Sequence, residues 1–436
     1  RQTPLVFGGR LVSLLFGLGA VLGVYSFAAQ ALPRRPAIAL AAAAIAAFQP
    51  AFLFVGTAVS NDAAVACGSA WVAALLARRW RVGADAHPPV PLGISLGLAI
   101  LAKSSALALF PLVGLALLFI HRGFRAAFWK ESAIVFALAL FVGGWWYGRN
   151  FWLYGDPLTT FIHTETPGQL RVTWERLRYD LLAVEYTFWA NPSRIFISLT
   201  RLDQALIWWG RLSLVACAVA LLRKWRTARA HLAAYATLAA WPATFAALLI
   251  IYWSPKTSSP AGRFLFPAFA PLALLTVLGW QSILPARLPR RLTPAVLAAI
   301  AGMVIIGGSM IPLVSIYPLY HPARTWRAEQ VERPAGITYV EAETGAPVAQ
   351  LLGTNLPRRY AVPGEYFPLE LCWRPLGRTD TPRAVFVHLL DVSRSPVLWG
   401  TRETYPGLGN RPTDRWPLGA PFCDTVLILA DPQTPT

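Results

Sequence analysis

The chain has 436 residues, 56% hydrophobic and only 14% charged, with a formal net charge of +18. An ordinary soluble domain carries roughly 25% charged residues, so this composition excludes one. Residues 1–330 hold 29 Lys and Arg against 10 Asp and Glu, whereas residues 331–436 hold 10 against 11. The positive excess therefore sits in the apolar part, where it reads as membrane topology and not as a nucleic-acid footprint.

Apolar runs of about 17 to 22 residues recur along the first three quarters, the length needed to cross a bilayer's hydrocarbon. With several shorter runs among them, they predict ten spans in chain order, at about 11–31, 37–56, 62–77, 91–102, 104–120, 133–150, 205–222, 232–252, 264–282 and 295–317, the short ones packing against neighbours or reaching only part of the way across. Alternate links are basic: "PRRP" (33–36), "ARRWR" (77–81), "HRGFRAAFWK" (121–130), "RKWRTAR" (223–229) and "ARLPRR" (286–291). The intervening short links, "GTAVS" (56–60), the turn at Lys103 and "SPKTSSPAG" (254–262), hold at most one Lys or Arg each. By the positive-inside rule the basic set is cytoplasmic. Asp62, Lys103, Arg149 and Arg263 then all fall on the outer face.

The outer loop of residues 151–204 is too long for a plain connector. Within it "RLRYDLLAVEYTFWA" (176–190) alternates apolar and charged residues at helical spacing, which predicts an amphipathic helix lying in the interface. Trp145, Trp146, Trp152, Trp174 and Trp189 suit an aromatic belt on that side. The membrane domain is expected over 1–320. From about 331 the texture changes: "YFPLELCWRPL", "RAVFVHLLDV" and "FCDTVLILA" alternate between Pro, Gly and Asp turns, which predicts a small β-sandwich-like extracytoplasmic domain over 331–436. It has few strands and stops abruptly, as a domain cut short would. Cys372 and Cys423 fall on its strands, where an oxidising compartment permits a disulfide but sequence gives no distance. Cys67 and Cys217 fall within spans and read as packing residues. Trp416 and Tyr405 could stack on a sugar, with core packing the plainer role.

The stretch "AVSNDAAVA" (58–66) places polar residues between two apolar runs. Ser60, Asn61 and Asp62 stand where a helix N-cap belongs, and a carboxylate there suits the helix dipole. An ionised Asp at the end of a membrane helix is also expensive, and so a candidate for function.

Five stretches resemble the GT-C superfamily of integral-membrane glycosyltransferases, which includes the protein mannosyltransferases and the aminoarabinose transferases of lipid A. They are "RLVSLLFGLGAVLGVYSFA" (10–28), "FQPAFLFVGTAVSNDAAVA" (48–66), "GLAILAKSSALALFPLVGLALL" (97–118), "WWYGRNFWLYGDPL" (145–158) and "AGRFLFPAFAPLALLTVLG" (261–279). The resemblance implies a polytopic helical membrane protein of a bacterial plasma membrane. It would transfer a sugar from a polyprenyl-phosphate donor to a glycan, lipid or protein acceptor on the extracytoplasmic side, with no nucleic-acid partner. In that superfamily one acidic residue in the first outer loop acts as base or metal ligand and a second opens a later span. Asp62 matches the second, with Asn61 beside it as a catalytic candidate. The first is expected before Arg1, so the chain reads as N-terminally truncated. A divalent cation, Mg2+ or Mn2+, is the one cofactor the resemblance implies, and that earlier loop would have to supply a ligand.

A departing lipid phosphate needs positive charge. Lys103, Arg263 and Arg149 are the candidate donor-phosphate contacts, because Arg and Lys clamp phosphate; the plainer alternative is snorkelling to headgroups. Asp156, His163 and Glu165 are candidate acceptor contacts, although Gly-Asp-Pro is also a turn signal and exposed loop residues are commonly just solvated. The rival expectation is a non-catalytic protein of the same fold, a translocator of lipid-linked saccharides or a scaffold. An ion-coupled transporter should place ionisable groups in mid-span, and the chain has almost none there.

Overall fold

A computed structural model describes residues 3–83, 88–159, 173–190, 201–227, 232–253, 261–283, 293–313, 331–360, 366–391, 397–409 and 411–430. The chain divides into two compact units, one helical and one of β-strands.

The helical unit runs α1 (Thr3–Ala31), α2 (Pro36–Phe48), α3 (Pro50–Thr57), α4 (Asn61–Val82), α5 (Val90–Ala102), a 3-10 turn (Ser104–Ala108), α6 (Leu109–Ile120) and α7 (Ala126–Ala139). A π-turn (Leu140–Gly144) leads into α8 (Trp145–Tyr154), followed by α9 (Trp174–Trp189), α10 (Arg201–Thr227) and α11 (Leu232–Leu248). A second π-turn (Leu249–Trp253), a 3-10 turn (Gly262–Ala268), α12 (Phe269–Ile283) and α13 (Thr293–Ile311) complete it. Within the described residues each of the ten apolar runs falls on helical segments, but ten membrane spans are not confirmed. Three continuous helices are long and apolar enough to cross a membrane: Pro4–Ala31, Ala126–Tyr154 and Gly262–Ile283. The pair α2–α3 reaches that standard together, bent by 60° at Gln49–Pro50. Proline removes the N–H that would continue α2, and Gln49 restarts the chain by capping α3, its Oε1 accepting the Phe52 N–H at 2.6 Å. Val90–Ala102, Ser104–Ile120, Ala236–Ile251 and Leu297–Ile311 are shorter apolar helices.

Small residues let the helices pack closely. A Cβ added to Gly68 of α4 would lie 2.9 Å from the Cβ of Ala99 on α5, so these two helices meet backbone to backbone, as helices in lipid commonly do. That contact fixes the N-terminal end of α4 beside the C-terminal end of α5. The opposite end of α4 carries a second buried polar group. Arg79 pairs with Glu131 of α7, whose other oxygen meets His121 Nε2 at 2.7 Å. Arg79 lies 17 positions from Asp62, so roughly 25 Å of helix separates the two clusters.

α9 occupies the place predicted for an amphipathic helix. Leu181, Leu182 and Trp174 are exposed, while Phe188 and Asp180 are buried. Trp145, Trp146, Trp152 and Trp174 are exposed, as an aromatic belt requires, but Trp189 is not part of it. Its indole packs between Phe188 and Trp209 and against Gly210, which makes it a joint between α9 and α10.

The β unit contains β1 (Arg333–Val340), β2 (Pro347–Asn355), β3 (Tyr366–Pro375), β4 (Val385–Asp391), β5 (Val397–Thr404) and β6 (Phe422–Leu429). An antiparallel sheet in the order β1-β2-β3-β6 faces a β4-β5 hairpin, with Leu351, Leu371, Trp373, Trp416, Phe422, Val426 and Ile428 between them. Trp416 is therefore core, its ring held by Trp373 and Phe422, while Tyr405 remains exposed. Cys372 and Cys423 are direct cross-strand partners on β3 and β6 and form a disulfide.

Candidate functional site

Ser60 is where the site begins. Its side chain accepts the Asp62 N–H at 3.1 Å and so starts α4, and its own N–H is held by Ser13 Oγ of α1 at 3.2 Å. The cap leaves Asp62 in the first turn, 1% exposed, where the positive end of the helix dipole stabilises its charge. Ser60 is thus the cap, and the Asp62 carboxylate is left to other side chains.

Asp62 faces two cations. Lys103 Nζ bonds to Oδ1, and Arg263 Nη1 lies 3.6 Å from Oδ2. Lys103 is the residue at which α5 stops; its extended backbone turns the chain, and its ammonium sits 4.9 Å above the Phe264 ring. Arg263 sits in the first turn of the 3-10 segment before α12, with its side chain about half exposed. Asn61 is also here, donating to the Ala102 carbonyl at 3.0 Å.

The turn that carries Arg263 is held by α9. Gly262 N–H donates to Thr187 Oγ1 at 2.8 Å, and a Cβ at Gly262 would lie 2.5 Å from the Phe188 backbone, so only glycine lets α9 come this close. Phe188 packs on Phe266 and Phe269, which also meet Phe52. Gln49, fully buried, donates to the Phe188 carbonyl while capping α3. The Trp241 indole N–H satisfies the Pro267 carbonyl at 2.9 Å. A helix from the long loop thereby clamps one of the two cations in place.

These groups open onto a cavity of about 480 Å³. Asn61, Asp62, Lys103, Ser104 and Arg263 line one side of it, and Trp146, Tyr147 and Asn150 of α8 another. Arg149 is not on the wall. It lies 5.0 Å over the Trp146 ring and donates to Asn150 Oδ1 at 3.3 Å. Asp156 accepts the Leu158 N–H at 2.9 Å, the turn that Gly-Asp-Pro announces, and positions Leu158 and Thr159 at the cavity edge. His163 and Glu165 lie outside the described residues. Sequence reasoning missed Tyr147 and Asn150. Their spacing of three on an otherwise aromatic helix, which puts them on one face, was the available signal.

Among the described residues no group of three or more His, Cys, Asp or Glu is disposed to hold a metal ion. The Asp62 carboxylate, already engaged by two cations, does not by itself fit a divalent ion.

Residues 5–147, roughly a third of the chain, match the family model described as dolichyl-phosphate-mannose-protein mannosyltransferase. The matched region carries Asp62, Lys103 and Tyr147, three of the cavity's residues. The match bears out the resemblance to the GT-C superfamily over that stretch, and with the apolar helices it supports a multi-pass membrane protein. No curated protein and no solved structure matches the chain.

Proposed function

We propose that the cavity binds the phosphate of a polyprenyl-phosphate sugar and that the chain transfers this sugar to an acceptor hydroxyl on the extracytoplasmic side of a bacterial plasma membrane. One observation carries the proposal: Asp62, Lys103 and Arg263, from three separate helical segments, meet in one cavity. Their formal sum is one positive charge. A sugar phosphodiester carries one negative charge, and the phosphate it leaves behind carries up to two.

The chemistry follows from that charge change. The acceptor oxygen attacks the anomeric carbon and inverts it. The bond from that carbon to the phosphate oxygen breaks, and its electron pair stays on the phosphate. The acceptor's proton passes to a carboxylate. Lys103 and Arg263 hold the phosphate more strongly as it gains charge, which is the condition for lowering a barrier instead of merely binding. Asp62 is engaged by both cations. Its role is to keep the cations aimed and to orient the acceptor or the base. The resemblance to the superfamily implies a second acidic residue as that base and as the ligand of any Mg2+ or Mn2+. The outer location is supported by the sparing use of Lys and Arg in the links that carry these residues. The Cys372–Cys423 disulfide supports the same placement for the β unit, because such bonds persist in oxidising compartments.

Membranes carrying the full-length protein, supplied with dolichyl-phosphate mannose and related polyprenyl-phosphate sugars, should release lipid phosphate, and Asp62→Asn should lose most of that release. Equal rates in the two would remove Asp62 from the reaction.

A further inference from the structure

The last carbonyls of an α-helix have no partner within the helix. At the end of α5 two of them are met by side chains from other helices. The Tyr147 hydroxyl of α8 donates to the Ile100 carbonyl at 2.7 Å, and Asn61 Nδ2 of α4 donates to the Ala102 carbonyl at 3.0 Å. The residue that follows is Lys103. Ile100 and Tyr147 both line the cavity, so this bond lies in the wall on which the phosphate is proposed to sit.

Tyr147 reaches Ile100 because of the π-turn. A π-turn inserts one residue and rotates everything after it by about 100° relative to an unbroken helix. The turn ends in Gly143–Gly144, and a Cβ at Gly143 would lie 2.4 Å from the Gly97 carbonyl and 2.6 Å from Ile100 Cγ1. Glycine at 143 is therefore what lets α8 close on the end of α5.

We propose that Tyr147 is a positioning residue for Lys103; the inference rests on the phosphate site described above. Its hydroxyl fixes the last turn of α5, and hence the backbone from which Lys103 reaches the cavity. This favours the phosphate and does not concern the lipid chain.

The test uses the full chain in nanodiscs, titrated with farnesyl phosphate and, as the uncharged control, farnesol. Tyr147→Phe keeps the ring and removes only the bond. It should weaken farnesyl phosphate about tenfold, leave farnesol unchanged and add nothing in a Lys103→Ala background. Gly143→Ala, which pushes α8 off α5 with Tyr147 intact, should reproduce the loss without adding to Tyr147→Phe. Wild-type binding by Tyr147→Phe, equal losses of both ligands, or losses that add to Lys103→Ala would overturn the inference and leave the phosphate site standing. Wild-type binding of farnesyl phosphate by Lys103→Ala would overturn both.

Discussion

Lys103 and Asp62, 41 residues apart in the chain, form a largely buried ion pair that joins the end of α5 to the start of α4. A cation and a carboxylate paired in this way are each expensive without the other. The pair is therefore a means of keeping a lysine charged and aimed in a half-apolar cavity until a stronger anion arrives.

Asp62→Asn follows directly. The substitution keeps one of the two oxygens that Ser60 and Lys103 meet separately and raises the formal charge of the cavity from +1 to +2. Removing one member of a buried pair costs about 3–5 kcal/mol when both are fully buried; with Lys103 15% exposed, the low end of that range applies. Farnesyl phosphate should bind the variant at least as well as wild type, while sugar release falls by about 10- to 100-fold, because the freed cations hold substrate and departing phosphate alike. Binding titration and turnover on the same preparation check both halves. A parallel loss of binding and turnover would show Asp62 contacting the ligand instead of governing the cations.

The three outer cations should separate experimentally. Lys103→Ala and Arg263→Ala each remove a group from the cavity wall, and a hydrogen bond to a charged group is worth about 1.5–3 kcal/mol. Each should weaken farnesyl phosphate by roughly 10- to 100-fold. Arg149→Ala should change it by less than about threefold, because this guanidinium stacks on Trp146 outside the cavity lining. A large effect at Arg149 with none at Arg263 would reverse the assignment of the phosphate site.

How legible was this site beforehand? Asp62, Lys103 and Arg263 could be named because each is a charged residue interrupting an apolar run, and an isolated charge in such a run is a strong signal. The charge alternation placed them on one face. What one dimension could not supply is orientation. Asn61 sits next to Asp62 yet turns to the Ala102 carbonyl, and Arg149 stands near the end of a predicted span yet lies in the middle of α8 over a neighbouring indole. Trp189 looked like a belt residue because tryptophan composition does not distinguish a lipid-facing ring from one closing a helix joint. The π-turn at 140–144 was invisible, since it leaves no residue pattern that a continuous helix would lack, and with it the approach of Tyr147 was hidden. In the β unit, alternation revealed strands, but the pairing of β3 with β6 that joins Cys372 to Cys423 needed the register.

Thr187→Val tests whether α9 holds the Arg263 turn. Valine matches the shape of threonine and removes the acceptor for the buried Gly262 N–H. An unsatisfied buried donor costs about 1–3 kcal/mol. The loss should appear as faster hydrogen exchange at Gly262 and neighbouring amides, together with a severalfold weaker affinity for farnesyl phosphate, and with no change at the Glu185–Arg211 bridge that ties α9 to α10. Unchanged affinity with faster exchange would mean that the turn is held well enough by Phe188 packing alone.

In the β unit, Asp424 sets a pH dependence. Burial pushes its carboxyl above the ordinary range, and the opposing pull of the Gly407 N–H at 2.8 Å, of Arg411 and of the Thr425 N–H does not fully offset that cost. A carboxyl whose pKa is raised by folding binds a proton more tightly in the folded state. Its stabilising contribution is therefore complete below the unfolded pKa, about 3.9, and is lost as pH rises through the higher folded value. The strands β3 and β6 should accordingly be better protected from hydrogen exchange at pH 4 than at pH 7, after correction for intrinsic rates. Asp424→Asn, which keeps an oxygen for Gly407 and carries no charge, should flatten this slope and protect β6 at pH 7. Protection that falls on acidification in the wild type, and no longer does so in Asp424→Asn, would mean that Arg411 and the two amides outweigh desolvation at this position.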